Sequence, residues 1–215
     1  SFNLSVTAPT PVVNINDIQG SGSVSPLAGQ TVQTSGIVTL RKSNGFYLQT
    51  PDAQADADPN TSEGIFVFTS SAPPAAAAVG NSVQVTGTVT EFKSSSQGLA
   101  DTSSTTELTS PSVVLLPSSN PLPTPITLTA SSINPALGFG QLERYEGMRV
   151  TIASLTASGP TGGTLSEANA TSTSNGRFYA VPTGVARPYR EAGIEAETPL
   201  PIPGAPHWDG NLEIY

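Results

Sequence analysis

Two stretches of the chain repeat each other position for position. Gly29-x-x-Val32-x-x-x-Gly36-x-Val38-Thr39 is matched by Gly80-x-x-Val83-x-x-x-Gly87-x-Val89-Thr90. Gly147 to Thr156 is a looser third copy that lacks the second glycine. Apolar and polar residues alternate within the copies, which turns Val32 and Val38, and Val83, Val85 and Val89, toward a core. A glycine inside a strand marks a bulge or a sharp bend, the device that lets a strand coil around a small barrel. Two readings follow. The copies are the bent first and fourth strands of an OB-like five-stranded barrel, or each G-x-x-V is a turn followed by a strand of any sheet.

The rest of the chain supports an all-β protein. Gly and Pro number 20 each, and they cost about 1 and 3 kcal/mol inside a helix. Val12, Val13, Ile15 and Ile18 form a strand-like cluster, and Phe46 to Gln49 and Ile65 to Phe68 are short apolar runs bounded by turn residues. Val113 to Leu116 is the last candidate strand of the first half, while Ala72 to Gly80 reads as a loop or a short helical turn. Four prolines between Leu115 and Pro125 mark a semi-rigid connector. The expected organisation is a leader over 1–10, an OB-like barrel over 11–118, a linker over 119–125, and a smaller β-rich, OB-like module over 126–215. Leu142 to Gly147 reads as one helical turn ended by glycine.

Charge and cysteine content exclude several functions. Sixteen Asp and Glu against eight Lys and Arg leave a net charge of −8, which rules out simple polybasic nucleic-acid binding. Without cysteine there is neither a disulfide scaffold nor a thiolate metal site. No apolar run approaches the roughly 20 residues of a membrane-spanning helix. Sparse charge, absent cysteine, abundant Ser and Thr, and a start at Ser1 point to an extracellular bacterial protein that has lost a leader. The strand-like Leu-Glu-Ile-Tyr215 ending suggests that more protein follows.

Five groups of residues are candidates for chemistry. The single histidine, His207, lies beside Trp208 and Asp209 in a proline-rich tail, with no G-x-S-x-G elbow to partner it. Glu143 and Glu146 share one face of the helical turn, where a solvated face or an ion pair with Arg144 explains them better than paired-acid catalysis. Asp52, Asp56, Asp58 and Glu63 offer the oxygen ligands that Ca²⁺ prefers, although the spacing is not that of an EF-hand loop and a solvated hairpin connection explains them equally. Arg41, Lys42, Phe46, Tyr47 and Lys93 are the residue types and strand positions that an OB-type face uses to bind nucleic acid. A looser basic region gathers Arg177, Arg187 and Arg190 with Phe178, Tyr179 and Tyr189.

The order of segments carries a resemblance. Ile15 to Gly22, Ser25 to Gln30, Gly36 to Thr39, Gly45 to Gln49, Asp58-Pro59, Ser62 to Phe68, Val79 to Phe92 and Leu142 to Met148 together resemble the OB-like region of bacterial extracellular nucleases. In those proteins this region precedes a catalytic domain of the endonuclease/exonuclease/phosphatase superfamily. The resemblance covers roughly residues 13 to 215 and implies a non-catalytic accessory region that binds or positions DNA or RNA, with a catalytic domain beyond Tyr215. It also places Asp52, Asp56, Asp58 and Glu63 on that family's acidic loop. The rival expectation is an interaction module for a protein or polysaccharide partner.

Overall fold

The structure, a computed structural model, describes residues 9–93, 104–133, 139–158, 163–174, 178–185 and 212–214. It is all-β, in two compact units. The first takes the chain to Lys93, then Ser104–Pro125 and, out of sequence, Glu143–Arg149; the second takes Ile126–Leu142 and the chain from Val150 onward.

Five strands form the first unit: β1 (Thr31–Lys42), β2 (Gly45–Gln49), β3 (Gly64–Phe68), β4 (Asn81–Phe92) and β5 (Thr105–Ser119). They close a barrel in the order β1-β2-β3-β5-β4, with β4 returning to β1. All pairings are antiparallel except β3 with β5. Phe46, Leu48, Ile65, Val67 and Leu108 point inward from β2, β3 and β5 and are fully buried, as are the valines of both repeat copies. Burying each such side chain is worth about 1.5–3 kcal/mol, so alternation of this kind fixes the register.

The two copies of the repeat become β1 and β4, and they pair with each other. Val32 faces Gly87 and Gly36 faces Val83, so exchanging the copies exchanges the pairs. The Gly29 N–H donates to the Val89 carbonyl at 2.8 Å, and the Gly80 N–H donates to the Val38 carbonyl at 2.9 Å. Gly29 and Gly80 both take positive φ, 82° and 89°, the turn conformation that glycine adopts without strain. The repeat is thus a local two-fold axis passing through the Thr34–Val85 pair. Gly87 lies at a register shift between Thr86 and Thr88, as a bend requires. Gly36 serves close approach instead: a Cβ there would overlap the Gln49 carbonyl. The bend in β1 falls between Val38 and Leu40.

Two sequence expectations are corrected. The Val12–Ile18 cluster is a five-residue helix, α1 (Ile15–Gln19), rather than a strand; Val12 contributes one bridge to Gln33. Ile15 and Ile18 are three apart, the spacing of one helical face, and both are fully buried. Strand β5 begins at Thr105, eight residues before the expected Val113, because pairing with β4 and β3 recruits a segment whose one apolar anchor is Leu108. Ala72 to Gly80 holds a short 3-10 turn, Ala75–Ala77, with Ala77 buried.

The second unit is β-rich. β6 (Ile126–Leu128) pairs in parallel with β7 (Val150–Ile152). β8 (Leu155–Ala157), β11 (Phe178–Pro182) and β12 (Leu212–Ile214) form a three-stranded sheet, and β9 (Gly163–Ser166) and β10 (Thr171–Ser174) a hairpin. Leu128, Ile133, Ala180 and Val181 are its buried apolar residues. Among the described residues this unit forms no closed ring. The third repeat copy is divided: Gly147 keeps the positive φ (70°) but belongs with Met148 and Arg149 to the barrel unit, while Val150 opens β7. A 3-10 segment over Phe139–Tyr145 stands where the helical turn is expected.

Candidate functional site

The outward face of β1, β2 and β3 holds part of the expected binding cluster. Inward Phe46 and Leu48 turn Tyr47 to the outer side, where it is half-buried, and inward Ile65 and Val67 turn Phe66 to the same side, where it is covered to 8% exposure. Tyr47 and Phe66 are direct cross-strand partners, with ring centroids 5.0 Å apart and planes tilted by 48°. The Lys42 ammonium lies 5.7 Å from the Phe66 ring centre, within cation–π range. Gly45, the register partner of Lys42, makes room for this arrangement, since any Cβ would overlap the Phe66 ring. Leu40, paired with Tyr47, is 52% exposed and widens the apolar patch.

The same row continues around the barrel. Phe66 pairs with Glu107 of β5, and Glu107 with Thr90 of β4. Glu107 is only 6% exposed, and burial pushes its carboxyl above the usual carboxylate range. Threonine hydroxyls flank it, with Thr90 and Thr109 2.9 Å apart and Thr31 and Thr88 3.2 Å apart.

The other expected nucleic-acid residues are placed differently. Phe46 is fully buried, so it is a core residue and cannot stack on a base. Its position follows from the period-two alternation that puts Tyr47 outside. Arg41 is exposed and donates from Nη2 to the Pro73 carbonyl at 2.7 Å. Lys93 is exposed and follows Phe92, which pairs with Thr105. That register sets it toward the Gly64 end of β3, whereas Lys42 is level with Phe68; the two lysines do not form one strip. Phe66 is 8% exposed, as expected of its apolar run; sequence reasoning missed only that its ring packs on Tyr47, for which the signal available was Gly45, a glycine where a strand would otherwise carry a side chain. His207, Trp208, Asp209, Arg177, Arg187, Arg190 and Tyr189 lie outside the described residues, as does the Tyr179 side chain; Phe178 is half-buried.

The acidic loop is tied by protein donors. Asp52 accepts the Thr124 N–H at 3.0 Å and its hydroxyl at 2.6 Å. Asp56 accepts from Asn16 Nδ2 at 2.6 Å and from the Asp58 N–H at 2.9 Å, and Asp58 accepts the Asn60 N–H at 2.9 Å. These are Asx-type turns, which short acidic side chains form by bonding backbone two residues on. Glu63 is buried; its Oε1 accepts the Asp56 N–H at 2.7 Å. Among the described residues no group of three or more Asp, Glu, His or Cys is arranged to hold a metal ion.

A second carboxylate site forms where Glu143–Arg149 returns to the barrel. Glu146 Oε1 accepts the Thr106 N–H at 2.8 Å, and the Thr106 hydroxyl donates to Glu91 at 3.0 Å. Glu91 also accepts from the Ser25 N–H at 2.7 Å and the Ser104 hydroxyl. Burial, with a further contribution from Glu143, pushes the Glu146 carboxyl up to about 8. Sequence reasoning gave Glu146 to a solvated face or an ion pair with Arg144; it is half-buried against β5.

No protein-family model matches the chain, and no curated protein sequence does. Among the described residues no helix is long and apolar enough to cross a membrane.

Proposed function

We propose that the barrel is an OB-like accessory module that binds single-stranded nucleic acid, without catalytic residues of its own. It would serve as the substrate-positioning region of an extracellular nuclease of the endonuclease/exonuclease/phosphatase kind. The observation that carries this reading is Tyr47, half-buried on the outer face and backed by the buried Phe66 ring, with Lys42 over Phe66. Stacking platforms bind bases without regard to sequence, at roughly 1–3 kcal/mol per base, and a nearby cation holds the phosphate.

With so few cations the affinity belongs in the non-specific range, with Kd on the order of 10⁻⁴–10⁻⁶ M. Titration of labelled single-stranded DNA by fluorescence anisotropy, at low and moderate salt, tests the reading. Binding that weakens with salt and is lost in Tyr47→Ala supports it. No binding at low salt, where phosphate contacts are strongest, ends it.

The ladder of Thr88, Thr90 and Thr109 hydroxyls beside the aromatic pair favours a second reading, a neutral polysaccharide stacked on Tyr47. A soluble neutral glucan in the same titration separates the two, since its binding would not respond to salt.

A further inference from the structure

Residues 143–149 leave their sequence neighbours to complete the barrel unit at the end where β2 stops and β3 and β5 begin. Their hydrogen bonds to the rest of the unit join side chains to backbone groups. The Ser62 hydroxyl donates to the Glu146 carbonyl at 2.6 Å, the Glu63 N–H points at Met148 Sδ at 3.4 Å, and the Arg149 N–H donates to Gln49 Oε1 at 2.8 Å. The Arg149 guanidinium reaches the Pro123 carbonyl. Gly147 and Gly64 pack backbone to backbone, so closely that a Cβ on either would overlap the other.

One side chain of the segment, that of Glu146, changes charge with pH while keeping its contact with β5. Glu146 reaches over β5 to the Thr106 N–H, and the Gln19 amide of α1, which donates to the Gly64 carbonyl at 2.6 Å, lies near enough to offset part of the rise in its proton affinity. The ionisable groups acting on it are both carboxyls, Glu143 on its own segment and Glu91 on β4. The cations of the segment are otherwise engaged: Arg144 lies 4.8 Å from the Tyr145 ring centre, and Arg149 is held at Pro123. Of the remaining neighbours, Glu63 of the β3 approach turns its Oε1 to the Asp56 N–H, and Glu107 of β5 points to the outer face beside Phe66. A negative charge on Glu146 would therefore stand half-buried among like charges.

We propose that Glu143–Arg149 is a pH-sensitive strap, seated across the barrel end while the Glu146 carboxyl is neutral and loosened when it ionises. The neutral carboxyl keeps its acceptor oxygen for Thr106 without repelling Glu91 and Glu143. The anion keeps that bond but gains two repulsions and a desolvation cost, all of which are relieved by lifting the segment into water. The sign is that of an acid raised in the folded state. The stabilisation is complete below the ordinary glutamate range and is lost as pH rises to about 8.

Two measurements on the full chain test this. The first follows the Glu146 side-chain carboxyl by carbon NMR through a pH titration; a midpoint near 8 is expected, and it falls toward the normal value in Glu143→Gln. The second follows tryptic cleavage after Arg144 and Arg149 at pH 7 and pH 9, normalised to an unstructured reference peptide. The ionised fraction rises about tenfold over that interval for a midpoint near 8, so cleavage of the native chain rises about tenfold, whereas Glu146→Gln is cut equally at both. A midpoint in the ordinary glutamate range overturns the proposal, as does a rise in cleavage that Glu146→Gln shares. The NMR titration uses the unaltered chain and decides the matter even where Glu146→Gln fails to fold.

Discussion

Strands β1 and β4 start from the same sequence pattern and end with different tasks. Each begins after a positive-φ glycine that donates to the other strand, and each buries its matched valines completely. Past the repeat they part. β1 runs on into Leu40, Arg41 and Lys42 and supplies the cation over Phe66, while β4 runs on into Glu91 and Phe92 and supplies a carboxylate to Ser25, Ser104 and Thr106. The shared part of the pattern sets the fold, and the residues just beyond it set the chemistry.

Substitution can break this symmetry where the neighbours differ. The largest effect is expected at the second glycine of each copy. Gly36→Ala forces a Cβ into the Gln49 carbonyl, which cannot yield without moving β2, at a cost of about 2–4 kcal/mol. Gly87→Ala meets the Thr109 carbonyl at 3.1 Å and should cost about half as much. Urea denaturation of the two variants gives the ratio, and equal losses would deny that the copies have different roles at this position. The first glycines behave alike instead: both have open space around the missing Cβ, so only their positive φ penalises a side chain. Gly29→Ala and Gly80→Ala should each cost about 1 kcal/mol.

Smaller effects separate the two strand ends. Tyr47→Ala removes a stacking surface and should weaken single-stranded DNA binding about fivefold to hundredfold, while Lys93→Ala, remote from the aromatic pair, leaves the affinity within twofold. Across the barrel end, Glu146→Gln should gain about 1–2 kcal/mol over the native chain at pH 9, after allowance for partial solvent screening, and nothing at pH 4. Thermal melts at the two pH values read this directly. The smallest effect is expected in the acidic loop. Its carboxylates already accept protein N–H and O–H groups, so millimolar Ca²⁺ in place of a chelator should move the melting temperature by less than about 1 °C.

Alternation made much of the barrel legible. Every valine expected in the core from the two copies is there, because a period of two leaves only one face for each residue. The same rule identifies Phe46 as core, and the sequence reading failed by treating Phe46 and Tyr47 together instead of applying it. Helix α1 was hidden in four apolar residues whose spacing suits a strand or a helix. The start of β5 was hidden because Thr105 to Glu107 carry no apolar residue, and their pairing is supplied from β3 and β4.

The sequence alone therefore determined the class of fold, the matched strands and their inward residues, since those follow from local periodicity and from backbone freedom at glycine. Only the tertiary structure decided which outward residues meet. Tyr47, Phe66 and Glu107 come from three strands, and their row depends on a register that no local pattern states. Likewise Glu146 leaves a stretch that reads as a solvated turn to stand beside Glu91, 55 positions earlier in the chain. Its raised proton affinity is a property of that encounter, because burial and neighbouring charge exist only once distant segments have packed.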